Sequence, residues 1–432
     1  MEKFLVGGAV RDRLLGLTPR ERDWVIIGAR PQDLIAQGYR PVGRDFPVFL
    51  HPQTGEEYAL ARTERKTAPG YRGFVTSHDP EVTLEQDLAR RDLTINAIAE
   101  DPVTGTLIDP WGGLADLEAR RLRHVSPAFV EDPLRVLRAA RFAARFADLG
   151  FRIVPETLAL MSDIAAGDEL DALVPERVWQ ETHRALESAT PRIYFETLRA
   201  CGALHRVFPE IDALFGVPQP ARWHPEIDTG LHTMMVLDEA AKATDDAMVR
   251  FAALTHDLGK GTTPASEWPR HAGHEQGGAR LIDALCDRLR IPNEYRELAR
   301  LVAQHHGVIH RVTEIRTSTL LDLLERLDAL RRPERFEQVL QACAADMRGR
   351  TGFAERPYPQ ATILRQARAA AAAVRLPAET LAGLDGERIA HQYRVARLGA
   401  VAQARQRASD AVEQPTNAPS RSEKHHEDHA RE

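Results

Sequence analysis

The sequence predicts an α+β protein whose strands are confined to about the first 125 residues, the rest being helical. Three observations predict it. Up to about residue 125, short runs rich in β-branched and aromatic residues alternate with helical ones, as in an α/β or α+β head. From about residue 130, apolar residues recur at three- and four-residue spacing, as in "DPLRVLRAARFAARFADLG", "PERVWQETHRALES" and "STLLDLLERLDAL". And 432 residues are too many for one compact core, so two to four domains are expected.

In chain order, "KFLVGGAV" reads as a strand entering a Gly turn, and "VRDRLLG" as a helix ended by Gly16. "DWVIIG", "FPVFLHP" and "EEYALART" read as strands. Residues 65–82 have turn formers and no apolar period, and are expected to be a long functional loop. In the helical part, breaks are expected at Gly202, Pro218, Pro220, Pro225, Pro264 and Pro269. The polar, Pro-containing end is expected to be disordered, and its "KHHEDH" solvated rather than metal-binding.

Composition narrows the function classes. Apolar content of 43% and charged content of 28% are ordinary for a soluble protein. No apolar run reaches the ~18 residues of a membrane span, and "MEKFLVGGAV" turns polar too soon for a signal peptide. Cys201, Cys286 and Cys343 lie far apart, which argues against a disulfide framework and fits a reducing cytoplasm. With a net charge of −6, any nucleic-acid contact must come from local basic patches.

The head carries the residues of a nucleotide site. Gly7 and Gly8 lie between a strand and a helix N-terminus, where backbone N–H groups can approach a phosphate and Arg11 can reach it. Glu21 and Asp23 sit two residues apart before an apolar run, so along a strand they share one face. Alone, they read as a solvated charge pair; beside a phosphate cradle they suit two-metal phosphoryl-type transfer, with Mg2+ as the ion that favours carboxylates, phosphates and water. Glu57 reads as a surface hairpin charge, with a third metal acid as the rival reading. "RRDLTINAIA" supplies Arg90, Arg91, Asp92 and Asn96, and the Arg91 fork matches triphosphate oxygens.

Arg135, Arg138, Arg141 and Arg145 follow at spacings of 3, 3 and 4, which on a helix makes one basic face, with Leu134, Val136, Leu137 and Phe142 packing elsewhere. Asp132 and Arg135 are expected on one helical face, a carboxylate that accepts beside a guanidinium that donates. Cytosine and adenine both present an amino donor beside a bare ring nitrogen, whereas uracil and guanine present the reverse. The pair therefore matches C and A, and leaves polar groups unpaired against U and G.

The middle of the chain carries a second constellation: His232, then His256-Asp257 and Lys260, then His271, His274, His305, His306 and His310, and finally Asp346. A lone helical histidine is usually surface or core. A His-Asp doublet 24 residues after a first His, with further His residues on helices, suits a divalent transition metal. His232, His256, Asp257, His274 and His306 form the expected ligand set. The pattern resembles the HD phosphohydrolase superfamily.

Taken in order, "LVGGAVRDRLLG", "ERDW", "ARTERK", "RRDLTINA" and "EDPLRVLRAARFAAR" resemble the bacterial CCA-adding enzymes, class II tRNA nucleotidyltransferases, in the long form that carries an HD domain. The resemblance runs to about residue 410. It implies a nucleotidyltransferase head with a small mixed β-sheet (1–125), a helical neck (126–215), an HD domain (216–350), a helical tail (351–410) and a disordered end (411–432). It implies CCA addition to tRNA from CTP and ATP, with Mg2+ held by Glu21 and Asp23. Nucleotide contacts are implied at Gly8, Arg11, Arg91, Arg138 and Arg141, and base reading at Asp132 and Arg135. Glu21 stands where the family usually carries aspartate. For the HD domain the resemblance implies phosphatase, 2′-nucleotidase and 2′,3′-cyclic phosphodiesterase activities, with a softer ion such as Ni2+ suiting the histidines. The expected partners are tRNA and the two nucleotides, with no DNA and no membrane, in a cytoplasmic monomer or homo-oligomer. The rivals are a bacterial poly(A) polymerase, an HD phosphohydrolase with a non-catalytic RNA-binding head, and a protein uridylyltransferase, for whose C-terminal sensing domains the chain ends too soon.

Overall fold

The computed structural model describes residues 1–19, 21–42, 48–66, 74–77 and 79–413, except the side chains of residues 64–66, 74–77 and 408–413. The chain packs as two compact units: residues 1–306 with 338–356, and residues 307–337 with the chain from 357 onward.

The first unit opens with the strands β1 (Glu2–Val6), β2 (Asp23–Ile27), β3 (Arg40–Val42), β4 (Val48–Leu50), β5 (Glu57–Leu60), β6 (Thr63–Lys66), β7 (Phe74–Ser77), β8 (Ala99–Glu100) and β9 (Leu107–Ile108). Seven form one mixed sheet in the order β3-β4-β5-β2-β1-β8-β9. Its β2–β5 pair is parallel and the other pairs are antiparallel. Side-chain alternation splits β2 between two cores. Val25 packs with Phe4, Val6, Leu88 and Ala97, while Ile26 packs with Leu34, Phe49, Tyr58 and Leu60. Both faces are thus covered, which is why the strand reads as a continuous apolar run. Asp23, at the start of β2, shares its face with Val25.

The expected loop at 65–82 is a strand pair at its ends: β6 and β7 run antiparallel with Lys66 opposite Phe74. Residues 67–73 and 78 of that stretch lie outside the described residues. Cross-strand pairing satisfies the backbone groups of these strands without requiring an apolar period.

Beyond the head the expected helices are present, with Pro155 and Pro175 opening theirs, where the missing N–H costs nothing. The arginine-bearing helix spans Leu134–Arg145. Asp132 is not on it, contrary to expectation. It is extended (φ −113°, ψ 104°), and its Oδ1 accepts from Leu134 N at 3.0 Å. Pro133 is the physical reason, because the residue before a proline is pushed out of the α region.

In the second unit, the helix Gly386–Glu413 packs on Pro359–Ala373 and Thr317–Arg326. Arg394 holds Asp322 and Glu325, and Arg405 donates to the carbonyls of Thr313 and Ile315. The expected disordered end at 411–432 is helical to Glu413; the rest, "KHHEDH" included, lies outside the described residues. No helix among the described residues is long and apolar enough to cross a membrane, and all three cysteines are free and buried.

Candidate functional site

One cavity of about 620 Å³ collects every residue expected in the head site: Gly8, Arg11, Glu21, Asp23, Arg91, Asp132, Arg135, Arg138 and Arg141. Ten arginines line it against six carboxylates, so the cavity attracts anions although the whole chain is acidic.

Three local structures aim these groups. The turn after β1 places Gly7 at φ +69° under the Arg91 guanidinium, where an added Cβ would lie 2.7 Å from Nη1. A capping box, in which Thr83 Oγ1 accepts from Gln86 N and Gln86 Oε1 accepts from Thr83 N, starts the helix Leu84–Ala89. That helix places buried Asp87, which pairs with Arg90 at 2.8 Å and Arg91 at 3.5 Å. Asp92 then accepts from Leu93 N at 2.8 Å and Asn96 Nδ2 at 2.9 Å, while Asn96 Oδ1 takes Arg11 Nη1.

The basic helix face is held in place arginine by arginine. Arg135 donates to the carbonyls of Ala128 and Arg90, at 2.6 Å each. Arg138 donates to Asp92 at 2.8 Å, Arg141 to Glu181, and Arg145 to Asp12 at 2.8 Å. Phe142, expected to pack away, instead lines the cavity and stacks under Arg141 and Arg11, with guanidinium carbons 4.2 and 5.0 Å from its ring. Burial pushes the Asp92 carboxyl up, but Arg138 and the hydrogen bonds outweigh it and hold the group well below the usual carboxylate range. Burial brings the Arg11 guanidinium down to about 10. Asp23 is raised by burial, opposed by Arg91, and raised again by Glu21. A carboxyl raised in this way beside a second acid in an arginine-lined cavity is a set that a divalent cation relieves, so these acids fit Mg2+. Arg91 Nε is buried without a hydrogen-bond partner.

The histidine residues form a second centre in the same unit. His232 comes from the helix Thr229–Ala243, His256-Asp257 from the end of Ala247–Thr255, His274 from the start of His274–Leu289, His306 from Asn293–His310, and Asp346 from Pro333–Arg348. They meet as two groups of potential ligand atoms, His232/His256/Asp346 and Asp257/His274/His306. Asp346 Oδ1 lies 3.1 Å from His232 Nε2 and 3.8 Å from His256 Nε2; Asp257 Oδ1 lies 3.5 Å from both His274 Nε2 and His306 Nε2. His232 Nδ1, His256 Nε2, Asp257 Oδ1 and His274 Nε2 are buried without hydrogen-bond partners, which leaves these donor atoms open to a metal ion. Nitrogen-rich donors of this kind fit a transition metal. Small residues bring the helices together: Val236, Ala240, Ala253 and Ala345 form one core, and a Cβ on Gly259 would lie 2.0 Å from His274 O.

All five residues of the expected set lie in these two groups, two in one and three in the other. Asp346, left out of the expected set, joins them. His271 does not: its ring bonds Thr263 and the Pro218 carbonyl. His305 is in neither group, and His310 meets Tyr358 in the second unit. In the head, sequence reasoning missed Glu181, which anchors Arg141, and Arg177, 3.6 Å from Asp132 Oδ2. Both lie on Pro175–Leu186, and nothing in their spacing marks them.

Comparison with known proteins follows the same division. Residues 3–123 match the family model of the poly A polymerase head domain, residues 150–215 the probable RNA and SrmB-binding site of polymerase A, and residues 229–334 the HD domain. Fold and sites together define a nucleotidyltransferase-type head joined to an HD domain in one chain. The chain is 63% identical over 403 residues to the multifunctional CCA protein of Thioalkalivibrio sulfidiphilus, covering 93% of this chain and 98% of that one. It is 62% identical over 404 residues to that of Nitrosococcus oceani, covering 94% and 98%. It belongs to the multifunctional CCA protein family. Among solved structures it shares its fold with a CCA-adding enzyme in complex with ATP (TM-score 0.62, 18% identity, 96% and 91% covered). It also does so with the Thermotoga maritima CCA-adding enzyme complexed with tRNA-CCA (TM-score 0.57, 20% identity, 95% and 91% covered).

Proposed function

We propose that this chain adds and repairs the 3′-terminal CCA of cytoplasmic tRNA from CTP and ATP, and that its HD centre hydrolyses phosphoesters. The observation that carries the first part is the single arginine-rich cavity in which the acid pair, the glycine turn and the basic helix face converge. Glu21 and Asp23 are the residues that would hold Mg2+, which when bound supplies positive charge to the triphosphate and acidifies the attacking hydroxyl. Glu57, the register partner of Asp23, is a third acid on the same sheet face.

The chain's own residues do the rest. Arg11, Arg91, Arg138 and Arg141 are pinned by Asp12, Asp87, Asp92 and Glu181, so their positions are set before the triphosphate arrives. The tRNA 3′ oxygen attacks the α-phosphorus in line, the α–β bridging bond breaks, and pyrophosphate leaves among these guanidinium groups. Asp132 and Arg135 read the base. Asp132 accepts a backbone N–H at one oxygen, while each Arg135 Nη that meets a carbonyl carries a second N–H.

In the HD centre, His232, His256 and Asp346, with Asp257, His274 and His306, would hold one or two divalent ions, Ni2+ among them. Such ions polarise a phosphoryl group and lower the pKa of a bound water. The activities are those of a phosphatase, a 2′-nucleotidase and a 2′,3′-cyclic phosphodiesterase, which suit the cleaning of tRNA ends. Incubation with tRNA lacking its CCA end tests the assignment. CTP alone should add two cytidines, and ATP should complete the end only afterwards. Long tails made from ATP alone would identify a poly(A) polymerase instead.

A further inference from the structure

The loop between the helices Pro209–Asp212 and Thr229–Ala243 brings a carboxylate into the HD centre from outside both ligand groups. Glu226 has a side chain only 4% exposed. Its Oε1 lies 2.9 Å from His232 Nδ1 and 3.2 Å from His224 Nδ1, and its Oε2 accepts from Thr351 N at 3.1 Å. The two imidazole rings stand edge to face with centroids 4.6 Å apart. On the far side of the same ring, His232 Nε2 faces Asp346 and shares a group with His256.

A buried carboxylate is costly unless its oxygens are met by donors; this one has hydrogen bonds with His224 Nδ1 and from Thr351 N, and lies 2.9 Å from His232 Nδ1, whose own hydrogen bond runs from Nε2 to Asp346. A neutral imidazole carries one N–H, and the hydrogen bond made by one ring nitrogen decides which nitrogen keeps the lone pair. His232 Nε2 meets Asp346 at 3.1 Å; to ligate an ion held with Asp346 and His256 that nitrogen must give up its proton, and the carboxylate 2.9 Å from Nδ1 is placed to hold the ring N–H there instead. Thr351 lies five residues after Asp346, so the same carboxylate also ties the loop to the segment that follows the Asp346 helix.

We propose that Glu226 is a positioning residue of the HD centre: it fixes the tautomer and ring orientation of His232 and thereby sets metal affinity, without itself being a ligand. This rests on the reading that His232, His256 and Asp346 hold a divalent ion. His224 Nδ1, Glu226 Oε1 and His232 Nδ1 lie close enough to form a ligand group of their own. But one imidazole cannot keep its Nδ1 proton for Glu226 and give that nitrogen to a metal, so the two roles make opposite predictions.

The test uses full-length protein stripped with chelator and titrated with Ni2+ or Mn2+ by calorimetry. Glu226→Gln is expected to bind the same number of ions as wild type, about 10–100-fold more weakly, as for removal of other carboxylate–histidine partners. Glu226→Asp should fall between. CCA addition should stay at wild-type levels, and the weaker metal binding should persist well below the melting temperature of the stripped variant, which a merely structural role for Glu226 would not allow. A stoichiometry lower by one ion would make Glu226 a ligand and overturn the proposal. So would an unchanged Kd with metal still bound. Wild type that takes up no ion, in the same way as Asp346→Asn, would overturn the metal reading itself and this inference with it.

Discussion

Gly7 and Arg91 approach so closely that a methyl group on Gly7 would sit 2.7 Å from the Arg91 guanidinium. Arg91 is not a loose side chain that could step aside. It is tied to Asp87 and to the Asn96 carbonyl, and its Nε is buried. Gly7 also has φ +69° and ψ −125°, a sparsely populated region that costs a residue with a Cβ about 1–3 kcal/mol. Gly7→Ala should therefore leave the protein folded but displace Arg91. Nucleotide addition should fall about 100-fold, the order expected from misplacing a binding group by an ångström. Gly8→Ala should be milder on packing grounds, since its Cβ would meet only Arg11 Nη2, at 3.5 Å. Steady-state rates of CMP addition for the two variants check this.

Sheet register bears on the acids proposed to hold Mg2+. Asp23 pairs with Glu57 across the parallel β2–β5 ladder, so the two carboxylates stand side by side on one face. Glu21→Asp should retain CCA addition and Glu21→Ala should abolish it. Glu57→Gln should slow addition about tenfold, a loss near 1.4 kcal/mol in the transition state, if it helps to hold the ions. Full activity of Glu57→Gln with loss in Glu21→Ala would return Glu57 to a surface charge. Full activity of Glu21→Ala would leave Asp23 to act with Glu57 instead.

Acid dependence should trace Asp92. Its carboxyl is held well below its ordinary value, with burial outweighed by Arg138 and by hydrogen bonds from Asn96 and Leu93. A depressed folded pKa means that folding favours the ionised form. That stabilisation is complete above the unfolded value of about 3.9 and is lost as pH falls below it toward the folded value. Asp92→Asn should thus cost about 1.5–3 kcal/mol near pH 7, as for other hydrogen bonds to charged groups. The deficit should shrink in urea denaturation below about pH 4, where the wild type begins to lose the same interaction. A deficit that is constant from pH 7 to pH 3 would assign it to packing.

Much of the head site was legible because its residues lie in local patterns. A glycine pair, an acid-x-acid pair and arginines at helical spacing can be read without knowing what packs on them. Tertiary partners could not be read that way. Glu181 reaches Arg141 from 40 residues away, Glu57 reaches Asp23 through strand register, and Asp346 meets His232 from 114 residues away. Asp132 is different, because Pro133 does mark it as extended and helical spacing was the wrong rule to apply. Phe142 departs from its expected place because a ring beneath guanidinium groups is as well buried as one in an apolar core.

The two chemistries should separate by mutation and by metal. His256→Ala and Asp346→Asn each remove an atom from the group formed with His232, and each leaves the cavity lined by Glu21 and Asp23 untouched. Both variants should lose hydrolysis of 2′,3′-cyclic nucleotides by at least about 100-fold, the upper range for disturbing a metal site even from outside its ligands. CCA addition should stay within about twofold of wild type, because ΔΔG values of well-separated sites add with little coupling. Chelator should abolish both activities. Mg2+ alone should restore addition, since an all-oxygen acid pair suits it, whereas the imidazole-rich centre should need Ni2+ or a similar ion to recover hydrolysis. Recovery of both activities by Mg2+ alone would mean that the HD centre works as a hard-ion site. The roles of His232, His256 and His306 as ligands would then have to be reassigned, with Asp257 and Asp346 as the remaining oxygen donors.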